Sequence, residues 1–161
     1  MKKRLIYFFA CALICLQACA LDSNSAQDKD AVTIVLKLDD MRQRHGAIPS
    51  SWQRVYEFTE SRGIPFSAGI ICNSLEAGPS EYFEGLKAWA ESGRVEFWNH
   101  GYDHRQWTEA GQRIREFQGT SYEQQLEHLK RSQELGVEKI GVRFVSFGSP
   151  FNSTDAATEQ A

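Results

Sequence analysis

Apolar and polar positions alternate along the chain in blocks that predict strands and helices in turn. Short runs rich in β-branched and aromatic residues indicate buried strands, and longer stretches with apolar residues at helical spacing indicate amphipathic helices. The predicted strands are 31–38, 64–72, 94–98 and 141–147, and the predicted helices are 50–63, 79–93 and 121–136. Strands that alternate with helices are typical of a parallel α/β sheet or barrel.

The first 18 residues follow a different pattern. Three basic residues at positions 2–4 precede an apolar run over 5–16, which is shorter than the roughly 20 residues that a membrane-spanning helix needs. A basic start followed by a short apolar run is typical of a secretory signal peptide. We therefore predict that residues 1–18 direct export and are then removed.

The residues that follow predict how the exported chain is held. The stretch 16–19 (LQAC) resembles a bacterial lipobox, in which Cys19 is the residue that becomes acylated. The alternative is ordinary cleavage after Ala20, with Ala18 and Ala20 as the small pair. Residues 19–30 are polar and predict a tether between a membrane and a domain over 31–161. The expected location is the bacterial envelope, on the outer-membrane or periplasmic side, with a lipid anchor in the membrane.

Composition supports one folded domain and excludes one class of partner. The chain has 161 residues, of which 42% are hydrophobic and 12% aromatic, enough for a buried core. Removal of the basic signal lowers the formal net charge from −3 to −6, which argues against a nucleic-acid partner. With Cys19 lipidated, Cys72 has no partner for an internal disulfide. The core must hold the domain together, and we expect a monomer.

Polar residues follow three of the predicted strands, at the point where each strand ends. Asp39 and Asp40 follow the first strand, His100 and His104 follow the third, and the segment 147–152 (FGSPFN) ends the fourth. Because the carboxyl ends of parallel strands meet on one side of the sheet, we expect these groups to converge.

This combination of side chains favours a metal site. Two neutral imidazoles and one carboxylate form a three-ligand face that leaves positions for water and substrate, while a second carboxylate can accept a proton from that water. Each motif has a simpler interpretation, since paired aspartates brace loops, an H-x-x-x-H spacing arises by chance, and Gly-Ser-Pro-Phe forms turns. Strand alternation would also point Asp39 and Asp40 to opposite faces, so we expect the pleat to break there.

The order and spacing of these motifs over 32–152 resemble the polysaccharide deacetylase family (carbohydrate esterase family four, the NodB-homology domain). The T-F-D-D motif of the family corresponds to 37–40 (KLDD), its H-x-x-x-H motif to 100–104, and its R-x-P-aromatic loop to 148–151 (GSPF). The resemblance implies these roles: Asp39 is the general base, and Asp40, His100 and His104 bind a divalent metal, with zinc expected.

The resemblance also implies a fold and an activity. The family fold is an incomplete (β/α) barrel of about seven strands, and its members remove acetyl groups from N-acetylated glycans such as chitin oligomers or peptidoglycan by metal-activated water. A non-catalytic carbohydrate-binding lipoprotein, or an inactive truncated relative, is the alternative. A glycosidase that uses paired carboxylates is a third possibility, but it leaves the histidine pair unexplained.

The chain departs from the family pattern in three ways. The mildest is that 37–40 (KLDD) lacks the usual threonine and aromatic residue of T-F-D-D. Gly148 replaces the arginine that orients the base in the family. The sequence after residue 152 is polar and predicts a loop, so the later family motifs, including a histidine general acid, have no place. We therefore expect a partial barrel, incomplete at its C-terminus, from a truncated family member. His45 and His128 are poor substitutes for the acid, and His128 is expected to be solvated on a helix.

Several residues near the expected site are candidates for other contacts. Aromatic side chains there can stack on sugar rings, although Tyr102 and Trp107 are equally suited to core packing. Asn99 and Asp103 either orient the imidazoles or form turns. The candidates for substrate binding are Tyr102, Trp107, Pro150 and Phe151.

Overall fold

The computed structural model describes residues 32–161. The predicted signal peptide, Cys19 and most of the predicted tether lie outside the described residues. Residues 34–161 form a single unit with its own internal contacts. None of the described helices has the length and apolar character required to cross a membrane.

A three-stranded parallel sheet is the centre of the fold, in the order β1-β2-β3. The strands are β1 (Lys37–Met41), β2 (Phe66–Ile70) and β3 (Val95–Asn99), and the helices that connect them are α1 (Ser50–Glu60) and α2 (Ser80–Glu91). Parallel neighbours require such crossover helices because the chain must return to the same end of the sheet. The predicted order of these five elements is confirmed.

The first strand is displaced from its predicted position. It begins at Lys37 and includes both aspartates, whereas the prediction placed it over 31–38 and put the aspartates after it. Val32, Ile34 and Val35 are instead exposed. A β-branched run predicts a strand only where a neighbouring strand is available, and pairing of β1 with β2 starts at Lys37 with Ser67.

The third helix is longer than predicted, and the fourth predicted strand is wrong. Helix α3 (Tyr122–Ile140) continues through Gly136 and ends at Gly141, which has φ 68°. Gly136, the predicted end of this helix, lies in its interior instead. The absence of a side chain there leaves room for Phe144, since a Cβ at 136 would lie 2.7 Å from the Phe144 ring. Residues 141–147 then run irregularly, and only Phe147 forms an isolated parallel bridge, with Asn99.

Two strands and one helix were missed by the sequence prediction. Strands β4 (Gln106–Glu109) and β5 (Gln112–Arg115) form an antiparallel hairpin directly after the histidine loop. Helix α4 (Ala156–Gln160) occupies the stretch predicted as a loop, and Asp155 caps it in a capping box with Thr158. The expectation of a structureless C-terminal segment is therefore wrong.

The core lies between the sheet and its helices and supports the carboxyl end of β3. Phe97 and Trp98 of β3 are buried, and so is the thiol-bearing Cys72. On the helical layer, Tyr56 of α1 stacks on Trp89 of α2 with ring centroids 4.5 Å apart. The strand that delivers the histidines therefore ends in a packed region.

Candidate metal centre

The side chain of Asp40 reaches the site because β1 contains a bulge. Leu38 pairs with Ala68 and Met41 pairs with Ile70, so two residues of β1 face one residue of β2. Asp40 has φ 67°, a left-handed conformation that turns its carboxylate away from the regular alternation. The predicted break of the pleat is confirmed at this residue.

His100 lies at the end of β3 and is held in one orientation. Its ring is buried, and its Nδ1 lies 2.7 Å from the carbonyl oxygen of Gly148. Because that carbonyl can only accept, Nδ1 carries the proton and Nε2 carries a lone pair. The ring therefore presents the nitrogen that a metal requires, in the manner of other metal-binding histidines.

His104 approaches from the other end of the same loop. It has φ 54°, and its backbone N–H donates to Oε2 of Glu116 at 2.8 Å. The Phe151 ring packs against the imidazole, with centroids 4.3 Å apart. The loop and the aromatic wall together direct His104 Nε2 toward Asp40.

The three predicted ligands meet. Asp40 Oδ1 lies 3.3 Å from His100 Nε2 and 3.0 Å from His104 Nε2. The lone pair of His100 Nε2 faces a carboxylate oxygen, and two such acceptors repel each other unless a cation or a proton lies between them. A set of two imidazole nitrogens and one carboxylate oxygen fits a divalent metal such as zinc, and the exposed Asp40 leaves the other side open.

Asp39 lies beside the ligands in sequence and contacts a different group. Its Oδ1 accepts from Lys37 Nζ at 2.5 Å, and the same ammonium lies 4.2 Å from the centre of the Trp98 ring. A Cβ at Gly148 would lie 2.7 Å from Trp98 Cζ3, so Trp98 occupies the space that an arginine side chain at 148 needs. The cation beside Asp39 therefore comes from β1 and not from the loop at 148.

Glu116 was missed by sequence reasoning, and it is almost completely buried at 1% exposure. Its carboxylate accepts hydrogen bonds from the backbone N–H groups of Tyr102 and His104, and it lies 2.9 Å from His128 Nδ1. One weak signal was available in the sequence, since Glu116 stands beside Phe117 after an alternating segment. That pattern does not distinguish a buried glutamate from an exposed one.

The prediction that His128 is solvated is wrong. Its ring lies over Tyr102 with centroids 4.9 Å apart and is bonded to Glu116. Burial lowers the pKa of His128, but the hydrogen bond to Glu116 and the negative charges of Glu116 and Asp103 outweigh burial, so the pKa lies above its ordinary value. The sequence did not indicate this contact because His128 lies among charged residues of a helix, whereas its partner Glu116 directly follows strand β5.

Asn99 and Asp103 bond to the backbone of the loop and not to the imidazoles. Asn99 Oδ1 accepts the N–H of Gly101 at 2.9 Å, and Asp103 Oδ1 accepts the N–H of Arg105 at 3.0 Å. Burial and the neighbouring Glu116 raise the pKa of Asp103. Of the two interpretations left open, these contacts match that of turn formers.

The four candidates for substrate contact occupy different positions. Phe151 lies against His104, and Pro150 is buried beside Gly101. The hydroxyl of Tyr102 donates to Glu76 at 3.0 Å. Trp107 lies in β4 and not in a loop as predicted, and within the described part of the chain its ring contacts Arg105 and Glu109.

A cavity of about 360 Å³ opens next to the ligands. Two of the predicted ligands form part of its wall, and two arginines bring positive charge to it. Gln43 pins the loop that carries these arginines by donating to the carbonyl of Ser74 at 2.8 Å. The lining residues are Asp40, Arg42, Gln43, Arg44, Pro49, Ser51, Trp52, Ile71 and His104.

Comparisons with known proteins give the family and the fold that the chain resembles. The sequence model of the polysaccharide deacetylase family matches residues 26–161, and no curated protein sequence matches the chain. The chain is similar to the BpsB deacetylase domain from Bordetella bronchiseptica, with TM-score 0.65 and 18% identity over 79% of this chain and 58% of that one.

Two further solved structures share the fold. Peptidoglycan deacetylase PdaC from Bacillus subtilis has TM-score 0.62 and 15% identity, with 81% of this chain and 55% of that chain covered. A pseudoenzyme of carbohydrate esterase family four from Bacillus anthracis has TM-score 0.57 and 12% identity, with 78% and 38% covered. The chain thus spans about half the length of the structures it matches, and the predicted fold class, a partial α/β barrel of this type, is confirmed.

Proposed function

The chain belongs to the polysaccharide deacetylase family, and from that premise we propose that it is a metal-dependent hydrolase that removes acetyl groups from N-acetylated glycans. The observation that carries the proposal is the meeting of Asp40, His100 and His104. With its Nδ1 bonded to a carbonyl oxygen, His100 turns its Nε2 toward the Asp40 carboxylate at 3.3 Å, an arrangement that a divalent cation stabilises. Zinc is the proposed metal.

The reaction assigns a separate task to each group. Water adds to the amide carbonyl, the C–N bond breaks, and the products are acetate and a free amine. A bound divalent metal lowers the pKa of water and polarises the carbonyl. Asp39 accepts the proton of the attacking water, and the leaving nitrogen finally receives it. Lys37, bonded to Asp39, orients that carboxylate in place of the arginine that Gly148 replaces.

The substrate lies in the cavity beside the ligands. Trp52 provides aromatic surface in the lining of that cavity, and Phe151 packs against the lining residue His104. Tyr102 and Trp107 offer aromatic surface farther along the loop and hairpin, and Pro150 is buried next to Phe151 in the chain. The proposed partner is an N-acetylated polysaccharide or oligosaccharide, and the proposed setting is a monomeric lipoprotein of the bacterial envelope, anchored through Cys19.

A second function has a specific observation in its favour. Gly148 cannot supply the cation that the family arginine supplies, and the fold is shared with a pseudoenzyme. A protein that binds metal and glycan without hydrolysis would fit these two facts. The two functions differ in whether acetate is released.

Metal content and acetate release test the proposal directly. We expect the purified chain to bind one divalent metal, measured by mass spectrometry of the metal, and to release acetate from N-acetylglucosamine oligomers or peptidoglycan. Asp40→Ala should lose both properties because it removes a ligand. Asp39→Asn should keep the metal and lower the rate about 10²–10⁴-fold, because it removes only the base.

The possible results separate the two functions. Glycan binding by the metal-loaded chain without acetate release would support the non-catalytic alternative. If the wild-type chain binds no divalent metal, both metal-based functions fail. Thermal melts of each variant in a chelator control for loss of folding.

A further inference from the structure

We propose that Glu116 is a positioning residue of the metal centre, which holds the loop 100–104 so that His104 faces Asp40, and that His128 holds Glu116 in place. This inference rests on the proposed metal site. It concerns groups that do not themselves contact metal or substrate.

The first step is the burial of a charge. Glu116 is 1% exposed, and a buried carboxylate is costly unless donors satisfy it. Its Oε1 accepts the Tyr102 N–H at 2.5 Å, its Oε2 accepts the His104 N–H at 2.8 Å, and His128 Nδ1 lies 2.9 Å from Oε1. Two of these three donors are backbone amides of the loop 100–104, so the Glu116 carboxylate fixes the backbone conformation of that loop.

The second step is the conformation that those bonds hold. His104 has φ 54°, a left-handed conformation that is unfavourable for a residue with a side chain. The conformation persists because its own N–H is bonded to Glu116. It places His104 Nε2 3.0 Å from Asp40 Oδ1, so that these two atoms would hold the same divalent cation.

The third step is the closeness of the fit. At Gly101, which has φ 80°, an added Cβ would lie 2.6 Å from Glu116 Oε2 and 2.6 Å from Pro150 Cγ. The loop therefore wraps closely around the carboxylate. A change in the position or hydrogen bonding of Glu116 is expected to move the loop as a whole.

His128 connects this arrangement to helix α3. Its Nδ1 faces Glu116, and its ring packs on Tyr102, so it restrains the carboxylate and the loop together. Asp103, Glu116 and His128 also offer ligand atoms within 4.8 Å of one another. The three hydrogen bonds to Glu116 already use that carboxylate for the protein itself, so we assign it a bracing role and not a second metal.

Metal affinity tests the proposal without reference to catalysis. Glu116→Gln keeps the shape but puts a donor where one backbone amide needs an acceptor. We expect its zinc affinity, measured by competition with a chelating dye, to fall about 10–100-fold, the usual effect of removing a group that orients a ligand. The visible absorption of bound Co²⁺ should change in shape as well, because His104 is no longer fixed.

Matched variants separate positioning from general stability. Glu123→Gln removes an exposed glutamate from the first turn of α3 and should leave zinc affinity and the Co²⁺ spectrum unchanged. His128→Ala should lower zinc affinity at least threefold, whereas His128→Asn keeps a donor near the position of Nδ1 and should restore most of it. Circular dichroism in a chelator reports whether each variant folds.

Each outcome decides the question. A folded Glu116→Gln protein that binds zinc within threefold of wild type, with the same Co²⁺ spectrum, overturns the proposal. If Glu116→Gln does not fold, the two His128 variants decide. Unchanged zinc affinity in His128→Ala overturns the proposal. Lower zinc affinity in His128→Ala that is mostly restored in His128→Asn supports the proposal. Absence of metal from the wild-type chain would instead sink the proposed function.

Discussion

At the scale of single residues, left-handed backbone conformations concentrate at the candidate metal centre. Among the described residues other than glycine, six have positive φ, and three of these, Asp40, His104 and Phe151, lie at the centre itself. Such conformations cost energy and persist only where the surroundings impose them. Here the bulge in β1, the bond to Glu116 and the Phe151–His104 contact do so, which indicates that the geometry of the site is maintained against local preference.

Gly101 provides a test of how tightly the loop fits. Gly101 and Gly111 both have φ 80°, but a Cβ at 111 would meet nothing within 4 Å, whereas one at 101 would meet Glu116 and Pro150. We expect Gly111→Ala to lower the free energy of unfolding by about 1–2 kcal/mol from backbone strain alone. Gly101→Ala should lower the free energy of unfolding by about 3 kcal/mol or more, because the added Cβ also overpacks the loop. Urea unfolding measures both, and equal losses would show that the loop is not closely packed.

At the scale of elements, the ends of helices depend on contacts beyond the helix itself. Helix α3 passes Gly136 because Phe144 packs there, and it stops at Gly141 in a left-handed conformation. Helix α4 is only five residues long and forms because Asp155 caps it and also accepts the N–H of Gly119 at 2.7 Å. Thr158 adds bonds to Gln125 and to the Phe117 carbonyl. These contacts attach the C-terminal helix to α3 and to the segment that carries Glu116.

Asp155 gives this attachment a defined pH dependence. Burial raises the pKa of Asp155, but hydrogen bonds from Gly119, Gln125 and the first turn of α4 outweigh it, so the pKa lies below its ordinary value. A carboxyl whose pKa is lower in the folded state stabilises the fold above its unfolded pKa, about 3.9. That contribution is lost as the pH falls through the folded pKa.

We expect Asp155→Ala to lower the free energy of unfolding by about 0.5–2 kcal/mol at neutral pH, the usual loss for a helix cap. The difference from wild type should persist at pH values above the unfolded pKa of about 3.9 and shrink as the pH falls below it, because wild-type Asp155 then becomes protonated. Asp155→Asn keeps a capping side chain and should lose less. Urea unfolding across this pH range measures the difference, and a gap that widens on acidification would contradict the assignment.

At the scale of the whole molecule, stability centres on the middle strand. β2 has a partner on each side, and Phe66, Ala68 and Ile70 are buried, whereas the β4–β5 hairpin is paired only with itself and is mostly exposed. The candidate ligands come from both neighbours of β2, with Asp40 on β1 and His100 directly after β3. The candidate metal centre is therefore attached to the most protected part of the sheet.

Hydrogen exchange tests this distribution. The amides of Ala68, Gly69 and Ile70 should exchange only through global unfolding, because they lie in the central strand. The amides of Thr108 and Glu109 in the hairpin should exchange at least about 100-fold faster through local opening. Mass spectrometry or NMR of the full chain measures both, and equal protection in the two elements would contradict this view.

The amino-acid sequence by itself determined the alternation of strands and helices from β1 to β3, and it predicted the three candidate ligands that the fold brings together. Both follow from local signals, since hydrophobic periodicity reports secondary structure and polar residues at strand ends converge in any parallel α/β fold. It also indicated the break in the pleat at Asp40, because a regular strand could not bring both aspartates to one side.

Only the tertiary structure decided which residues are buried and what they contact. Glu116 and His128 resemble surface residues in the sequence, and the irregular path of 141–147 resembles a strand. Their states depend on partners distant in the chain: the amides of the ligand loop satisfy Glu116, Glu116 binds His128, and Asn99 pairs with Phe147 alone. Burial of a charge and pairing of a strand are properties of the neighbours that folding provides, so local sequence patterns cannot specify them.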